Sequence, residues 1–392
     1  MIAFTASRLF TPLKEVELPL VFVEGAHIAE IGSRAERETP PGIRVIEFGD
    51  SILAPGFVDI HIHGGAGHDV MEPDVESLPA VEALLARHGV TSYYPTTVTA
   101  PMDLTLSALE RLANAIESAA KDGSRSRRAQ PVGIHLEGPF LSHARRGVHP
   151  PQDLLTPSVE AFERLWQAAR AHVRLMTIAP ELDGAREVIE EATRRGVCVS
   201  IGHSDAELSA ARQGVAAGAR HATHVFNAMR PLDHREPGII GEVLSDARLS
   251  ADIIADGIHV DPVVVELLAR LKGPDATVLI TDATAATGMP DGRYRLGSLE
   301  VEVRNGRCTA EGKLAGSVLT MDRALRNFMQ FTRWDLPQAV RAATANPARI
   351  VGLAGRGRLE AGAAADIAVL SPGGELRTTI IGGVEGEAAG IN

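Results

Sequence analysis

The sequence is poor in features that mark several protein classes, and each shortage excludes one of them. Its only cysteines are Cys198 and Cys308, so it has neither a disulfide framework nor a cysteine-rich zinc module. The formal net charge of −11 argues against nucleic acid as a partner, because phosphate neutralisation needs a basic face. Uncharged apolar runs of about 18 residues are absent, and the N-terminus lacks a charged segment followed by a long apolar core. We therefore expect a cytoplasmic protein with no membrane partner.

Strand-length apolar runs alternate with helical stretches from residue 57 onward. The apolar runs are residues 57–63, 90–97, 132–137, 173–179, 197–203, 221–224, 249–255 and 277–282. The helical stretches are residues 75–88, 103–121, 158–172, 184–195, 205–217, 262–271, 321–332 and 336–344. Eight nearly apolar strands alternating with helices predict an α/β fold, a parallel (β/α)8 TIM-type barrel. A doubly wound open sheet is the alternative, but no Gly-x-Gly-x-x-Gly turn follows the first strand.

The two ends of the chain predict a small β domain. Short strands are expected at residues 16–23, 28–31 and 45–48, and a turn with a strand at 357–370. Neither end has enough strands for a sheet of its own, so we expect both to pair in one domain. The predicted division is 1–52 with 355–392 for this domain and 53–354 for the barrel. Residues 283–317 are rich in loops and predict a lid.

His61 and His63 close the first apolar run and are followed by Gly64 and Gly65. A strand places residues i and i+2 on one face, so both imidazoles point the same way. The glycines allow a sharp turn and close approach to the backbone. Paired neutral imidazoles are suited to holding a metal, although an isolated His-x-His pair is more often two buried or solvated histidines without a metal.

Polar residues recur at the predicted carboxyl ends of five strands, where (β/α)8 barrels gather their chemistry. They are His61, His63, Glu137, His203, His224 and Asp282. Singly, each is compatible with a hydrogen-bonded core histidine or a helix-capping aspartate. Several unpaired polar groups at one end of a barrel would cost about 1–3 kcal/mol each, so a shared metal site explains them better. His135 and His221 are left out of this set. His221 is three residues from His224 and should point elsewhere, whereas His135 shares the strand face of Glu137.

These motifs resemble the N-acetylglucosamine-6-phosphate deacetylase family of the amidohydrolase superfamily. The Glu-Gly-Pro run at 137–139 and the Thr-His-Val-Phe-Asn-Ala-Met run at 223–229 are specific to it, whereas His-x-His is not. The tail resembles the C-terminal β segment of the superfamily, so the resemblance covers nearly the whole chain. The matching segments, in the order of the family, are 54–64, 95–97, 135–140, 202–204, 223–229, 235–238, 255–260 and 281–283.

The resemblance implies a role for each matching residue. The catalytic metal is held by Glu137, His203 and His224, while Asp282 acts as general base and then general acid. His259 lies near the substrate carbonyl, where it can stabilise an oxyanion. Contacts to the phosphorylated sugar come from Val148, His149, Asn227, Ala228 and, from the neighbouring subunit of a homodimer, Arg235. A guanidinium fork of this kind lets an acidic protein bind a phosphate.

The same resemblance implies the cofactor and the reaction. One or two divalent ions per subunit are expected, zinc first, with iron, manganese or cobalt as alternatives. His61 and His63 would complete a second site bridged by Glu137. Metal-activated water then hydrolyses the acetamide of N-acetylglucosamine 6-phosphate to glucosamine 6-phosphate and acetate.

Three alternatives stay open at this point. The galactosamine counterpart differs by one epimeric hydroxyl, and no residue here separates the two substrates. Cyclic amidases of the superfamily commonly use a carbamylated lysine between two metals. The four lysines of this chain, none at a barrel strand end, are Lys14, Lys121, Lys272 and Lys313. A non-catalytic binding module should have lost a ligand or the aspartate, and all of these are present.

Overall fold

A computed structural model describes residues 1–11, 14–122 and 127–386. Among these residues, eight parallel strands form a barrel in which each strand pairs with the next along the chain. An isolated parallel bridge between Ile62 and Ala283 links the last strand region to the first. The strands are β1 (Phe57–Ile62), β2 (Val90–Thr97), β3 (Ile134–Glu137), β4 (Val173–Ile178), β5 (Cys198–Ile201), β6 (His221–Ala222), β7 (Ser250–Ile254) and β8 (Thr277–Ile280). The (β/α)8 prediction is confirmed.

The barrel strands are apolar because both of their faces are covered. All six residues of β1 and all eight of β2 are buried. The helices carry one apolar stripe each, as the helix Ala185–Arg194 shows by burying Ala185, Val188, Ile189 and Ala192. The helices are Ser77–Arg87, Met102–Asp122, Val159–Ala168, Ala185–Arg194, Leu208–Ala217, Gly238–Ser245, Pro262–Ala276, Met321–Thr332, Leu336–Ala343 and Ala345–Ile350, with 3-10 turns at His143–Arg145 and Pro151–Asp153.

Most predicted helices are present, with shifted ends. The third ends at Ala168 rather than residue 172, because Arg170 and Ala171 adopt positive φ angles of 48° and 62°. The fifth begins at Leu208 rather than residue 205, where the amide of Asp205 instead donates to Glu181. The helices Gly238–Ser245 and Ala345–Ile350 were not predicted. None of the helices in the described ranges is long and apolar enough to cross a membrane.

The terminal segments form two sheets instead of one. Residues 2–47 alone make a four-stranded sheet, so the expectation that neither end could form its own sheet is wrong. Short, buried strands such as Ile2–Thr5 carry too few residues for a visible pattern. A six-stranded sheet joins both ends as expected, with Ile52–Pro55 antiparallel to Ile367–Leu370. The strands are Ile2–Thr5, Pro19–Glu24, His27–Ser33 and Arg44–Glu47 in the first sheet, and Arg8–Phe10, Glu15–Glu17, Ile52–Pro55, Ile367–Leu370, Leu376–Ile381 and Val384–Glu385 in the second.

The predicted loop-rich lid contains a four-stranded antiparallel sheet, which corrects that expectation. Buried and more exposed residues alternate along Leu299–Arg304. Val301 and Val303 point into a small hydrophobic core that also contains Val98. This alternation was the signal that the sequence carried for a strand. The strands are Gly292–Leu296, Leu299–Arg304, Arg307–Ala310 and Lys313–Leu314. Short strands Gly64–Gly65, His68–Asp69 and Gln130–Pro131 complete the described set. The domain division at 52/53 and 354/355 stays a prediction.

Candidate active site

The carboxyl ends of the barrel strands surround a cavity of about 180 Å³. The apolar side chains Leu296 and Leu314 of the small antiparallel sheet line it from above. His61 is fully buried beside it, with its Nε2 atom 3.3 Å from Nε2 of His63. The predicted site residues that line the cavity are His63, Glu137, Val148, His149, His203, His224, Asn227, Ala228, His259 and Asp282.

Arg235 lies apart from these residues. It is exposed, and its backbone N–H donates to the carboxylate of Asp233. It is not part of the cavity lining within the described part of this single chain.

Three site residues stand just beyond their strands in the left-handed backbone region. The φ angle is 47° at His203, 29° at His224 and 51° at Asp282. The predicted strands ran to these residues, but β5, β6 and β8 end two residues earlier. A non-glycine residue in this region costs about 1–3 kcal/mol and is found most often at functional sites. All three side chains line the cavity.

Gly64 meets the expectation of a close backbone approach. The strand Gly64–Gly65 pairs with His68–Asp69, and a Cβ atom on Gly64 would collide with the carbonyl oxygen of His68. This tight hairpin follows His63 directly. The backbone N–H of His63 donates to the carbonyl of Ala283 at 2.8 Å.

The carboxylate of Glu137 is the centre of the site. Its Oε1 atom lies 3.4 Å from Nε2 of His61, 3.2 Å from Nε2 of His203 and 3.0 Å from Nε2 of His224. Its Oε2 atom lies 3.3 Å from Nε2 of His63. The residues of the notional second site are equally close, since Oδ1 of Asp282 lies 3.2 Å from Nε2 of His63 and 3.6 Å from Nε2 of His61.

The backbone determines which nitrogen of His63 and His203 faces the cavity. Nδ1 of His63 donates to the carbonyl of Thr96 at 3.1 Å, and Nδ1 of His203 donates to the carbonyl of Arg145 at 3.0 Å. In the neutral imidazole the opposite nitrogen, Nε2, then carries the lone pair. Histidine ligands of metals are oriented in this way.

His149 has the opposite tautomer. Its Nδ1 atom accepts the backbone N–H of Thr99 at 3.2 Å and lies 2.8 Å from the Thr99 hydroxyl. Neutral His149 therefore carries its proton on Nε2, which lies 3.5 Å from Oε2 of Glu137. Although His149 lies within 4.8 Å of Glu137 and His203 in a potential metal-binding group, it faces the cavity as a hydrogen-bond donor.

The electrostatics of the site favour ionised carboxylates. Burial opposes ionisation of Glu137, but the surrounding histidines, His61 first, outweigh it and hold its pKa well below the usual value. Burial likewise opposes ionisation of Asp282, and His61 and His63 lower its pKa to about 2. Both carboxylates are therefore anionic, which is the form that a cation binds.

Several supporting residues were missed by sequence reasoning. Oδ2 of Asp256 accepts from Nδ1 of His259 at 2.7 Å, and the i,i+3 spacing of this pair in one loop was the available signal. Asp252 accepts the backbone N–H of His224, and Asp59 accepts from the Thr281 hydroxyl at 2.6 Å. The contacts of Asp252 and Asp59 join segments that are distant in sequence, so no local sequence pattern predicts them.

The two histidines left out of the predicted site, His135 and His221, form hydrogen bonds with other buried side chains. Nε2 of His135 lies 2.8 Å from the Thr177 hydroxyl. Nδ1 of His221 lies 2.8 Å from the Ser250 hydroxyl, and its Nε2 atom lies 2.9 Å from Asp252. Both imidazoles are fully buried and satisfied by these partners.

In sequence, residues 52–385 match the family model of the amidohydrolase family. N-acetylglucosamine-6-phosphate deacetylase of Bos taurus is 41% identical over 350 residues, which are 86% of this chain and 83% of the relative. The chain belongs to the amidohydrolase family, in its N-acetylglucosamine-6-phosphate deacetylase group. The family resemblance seen in the sequence is thereby confirmed, and with it the assignment to the hydrolases.

Two further members of the family extend the comparison. N-acetylgalactosamine-6-phosphate deacetylase of Escherichia coli O157:H7 is 38% identical over 336 residues, 85% of this chain and 87% of the relative. The crystal structure of N-acetyl-D-glucosamine-6-phosphate deacetylase from Mycobacterium smegmatis superposes with a TM-score of 0.90 at 34% identity, covering 98% of this chain and 100% of the other. The barrel and the terminal sheets are thus those of the family.

Proposed function

We propose that this protein hydrolyses the acetamide of N-acetylglucosamine 6-phosphate to glucosamine 6-phosphate and acetate. The observation that carries the proposal is the convergence of five imidazoles on the buried carboxylate of Glu137, with Asp282 beside two of them. The relatives with this name are 36–41% identical over most of the chain. The Mycobacterium smegmatis enzyme has a structure in complex with N-acetyl-D-glucosamine-6-phosphate.

The donor set fits a divalent cation. Nε2 of His203, whose Nδ1 donates to the carbonyl of Arg145, is 3.2 Å from a carboxylate oxygen of Glu137 and 3.0 Å from Nε2 of His224. Two imidazole nitrogens and a carboxylate oxygen therefore converge in a buried space, and this is a donor set that a divalent cation takes. Glu137, His203 and His224 would hold the catalytic ion, with zinc first among the candidates. When bound, a divalent ion supplies Lewis acidity that activates water and polarises a carbonyl.

A second ion is supported by the geometry of the pair His61 and His63. His61, His63 and Asp282 offer ligand atoms within 4.8 Å of one another. Oε2 of Glu137 lies 3.3 Å from Nε2 of His63, so Glu137 can bridge the two groups. Two ions per subunit are therefore our proposal, and the identity of the metals as zinc is part of it.

The chain's own residues supply proton transfer and charge stabilisation. Asp282, ionised in the cavity wall, accepts a proton from the attacking water and returns it to the departing amine. The water oxygen bonds to the acetyl carbon, the carbon–nitrogen bond breaks, and acetate and the free amine result. His259, whose Nδ1 atom is held by Asp256, is assigned to stabilise the developing oxyanion. His149 donates Nε2–H to the sugar.

The phosphate contacts belong to the same proposal. Asn227 and the backbone of Ala228 line the cavity and are assigned to the 6-phosphate, beside Val148. We assign Arg235 to this group from the neighbouring subunit of a homodimer, because it is exposed and does not line the cavity of its own chain. We assign the enzyme to the cytoplasm, where a phosphorylated sugar is retained.

The test is release of free amine by the purified protein with metal supplied. Hydrolysis of N-acetylglucosamine 6-phosphate is expected, and much slower hydrolysis of the unphosphorylated sugar. No turnover, or equal turnover of both sugars, would overturn the proposal. The second candidate substrate is N-acetylgalactosamine 6-phosphate, because the Escherichia coli relative that bears this name is 38% identical. The ratio of kcat/KM for the two epimers decides between them.

A further inference from the structure

A second cavity, of about 700 Å³, lies at the other end of the barrel. Arg356 in its wall donates to the hydroxyl of Ser92, near the start of β2, whereas the active site lies beyond the carboxyl ends of the strands. The cavity opens between the terminal sheets and the helices Leu336–Ala343 and Ala345–Ile350. Its volume is typical of small-molecule pockets, which run from about 300 to 1,000 Å³.

More cations than carboxylates line the cavity, although the chain carries a net charge of −11. Two carboxylates, Glu30 and Glu360, are also in the lining. Five cationic side chains outnumber them, and they are Lys14, Arg341, Arg349, Arg356 and Arg358. A concave surface lined mainly by one sign of charge attracts the opposite sign.

Several of these cations are available to a ligand. Within the described ranges, Lys14 and Arg349 have no carboxylate partner, and Arg349 donates only to the main-chain carbonyl of Asp275. Arg358 pairs with Glu360 at 3.0 Å, but the two side chains are 42% and 56% exposed. Exposed pairs contribute about 0–1 kcal/mol, so an incoming anion can replace such a partner.

The other two arginines shape the wall. Arg356 is held by the buried carboxylate of Asp366 and by Ser92, which gives it one fixed position. Arg341 pairs with Asp275, whose side chain is largely exposed. The apolar part of the lining includes Val16, Ile31 and Leu359 and offers a surface to the uncharged part of a ligand.

We propose that this cavity binds a small anion that carries a phosphate or pyrophosphate group. Guanidinium forks match phosphate oxygens in pairs, and Lys14 adds a point charge. The cavity is larger than a free phosphate needs, which favours a phosphorylated organic molecule of about nucleotide size. The proposal is independent of the deacetylase reaction, because none of these residues lines the active site.

The test is calorimetric titration of the metal-loaded protein with pyrophosphate and with ADP. The double variant Lys14→Ala/Arg349→Gln is compared with Arg186→Gln. This control removes an exposed arginine that pairs with Glu190 within the helix Ala185–Arg194, which does not line the cavity. We expect saturable binding that weakens at least about tenfold in the double variant and stays unchanged in the control.

Two further variants separate this cavity from the active site. Asn227→Ala should leave binding of the probes unchanged, and the double variant should deacetylate its sugar at the normal rate without the probes. The thermal midpoint of the double variant checks that it is folded. The proposal fails if neither probe binds saturably, if the double variant binds like the control, or if Asn227→Ala alone abolishes binding.

Discussion

Asp282 and Glu137 are the two carboxylates in the lining of the active-site cavity among the described residues. Because Glu137 is enclosed by imidazoles, Asp282 is the carboxylate left to carry a proton. Asp282→Asn keeps the shape but cannot accept the proton, so kcat should fall about 10³-fold while KM changes little. Amine release under saturating substrate measures this.

The matched control is Asp183→Asn, which removes an exposed carboxylate before the helix Ala185–Arg194. It should retain nearly full activity. If the Asp282 variant kept more than about a tenth of the activity, its role in proton transfer would have to be given up.

Metal content separates the two groups of ligands at the residue scale. Glu137→Gln removes the charge on which His61, His203 and His224 converge, so metal bound per chain should fall below one equivalent. His61→Gln/His63→Asn leaves Glu137, His203 and His224 in place and should retain one ion. Its kcat should still drop about tenfold or more, because His63 also contacts Asp282.

Elemental analysis after exhaustive dialysis provides the measurement, with unaltered protein alongside. Equal metal content in all three proteins would contradict this assignment of ligands. Full activity in the double histidine variant would instead mean that the pair is auxiliary and that a single ion suffices.

At the scale of elements, the helix Ser77–Arg87 meets β2 through a buried carboxylate. Glu82 accepts from the Tyr93 hydroxyl at 3.4 Å and lies 3.4 Å from Arg128. Burial raises its pKa to about 7 from an ordinary 4.5. The folded state therefore holds this proton more tightly than the unfolded chain, so stability should fall as pH rises from about 4.5 to about 7.

Glu82→Gln should remove that decline, because a neutral amide has no charge to bury and can still accept from Tyr93. Its free energy of unfolding should exceed that of the unaltered protein by about 1–3 kcal/mol near pH 8, and by little near pH 4.5. Urea titrations at both pH values measure the difference. Glu110→Gln, at an exposed helix position, should show no such dependence, and an equal gain at both pH values would refute the assignment.

Elements were predictable wherever a pattern was repeated. Eight apolar runs predicted the barrel, and the polar residues ending them brought His203 and Asp282 into one group. Strand ends were less predictable, because the left-handed turns at these residues depend on contacts with other strands. Arg235 carries no local signal of its own, because an exposed loop arginine is typical of a solvated position, and only the family resemblance assigns it to a substrate.

Pairings over long sequence distances explain the remaining misses. Asp252 supports His224 from the next strand, and Asp59 binds Thr281 across the barrel closure. Neither the spacing between His224 and Asp252 nor that between Asp59 and Thr281 resembles a sequence motif. The strand Ile2–Thr5 is short and becomes visible only when it pairs between two other strands.

At the scale of the whole molecule, two concave surfaces occupy opposite ends of one barrel. The active-site end concentrates carboxylates and imidazoles, whereas the other end concentrates cations. The phosphate of the proposed substrate therefore needs its positive charge from elsewhere, and Arg235 is the arginine assigned to it. The proposal therefore predicts that activity depends on assembly.

Mixing two inactive chains tests that dependence. An Arg235→Ala chain retains Asp282, the proposed proton carrier, but lacks the arginine that its neighbour is proposed to need. An Asp282→Asn chain has the reverse defect. If Arg235 acts on the neighbouring site, a mixed dimer contains one complete site, and a reassembled equimolar mixture should recover roughly a quarter of the normal activity. Each variant alone should be weak on the phosphorylated sugar, with KM raised in Arg235→Ala. Exchange of subunits is followed by sedimentation of labelled chains. Failure to recover activity despite exchange would show that Arg235 serves only its own chain or has no part in the site.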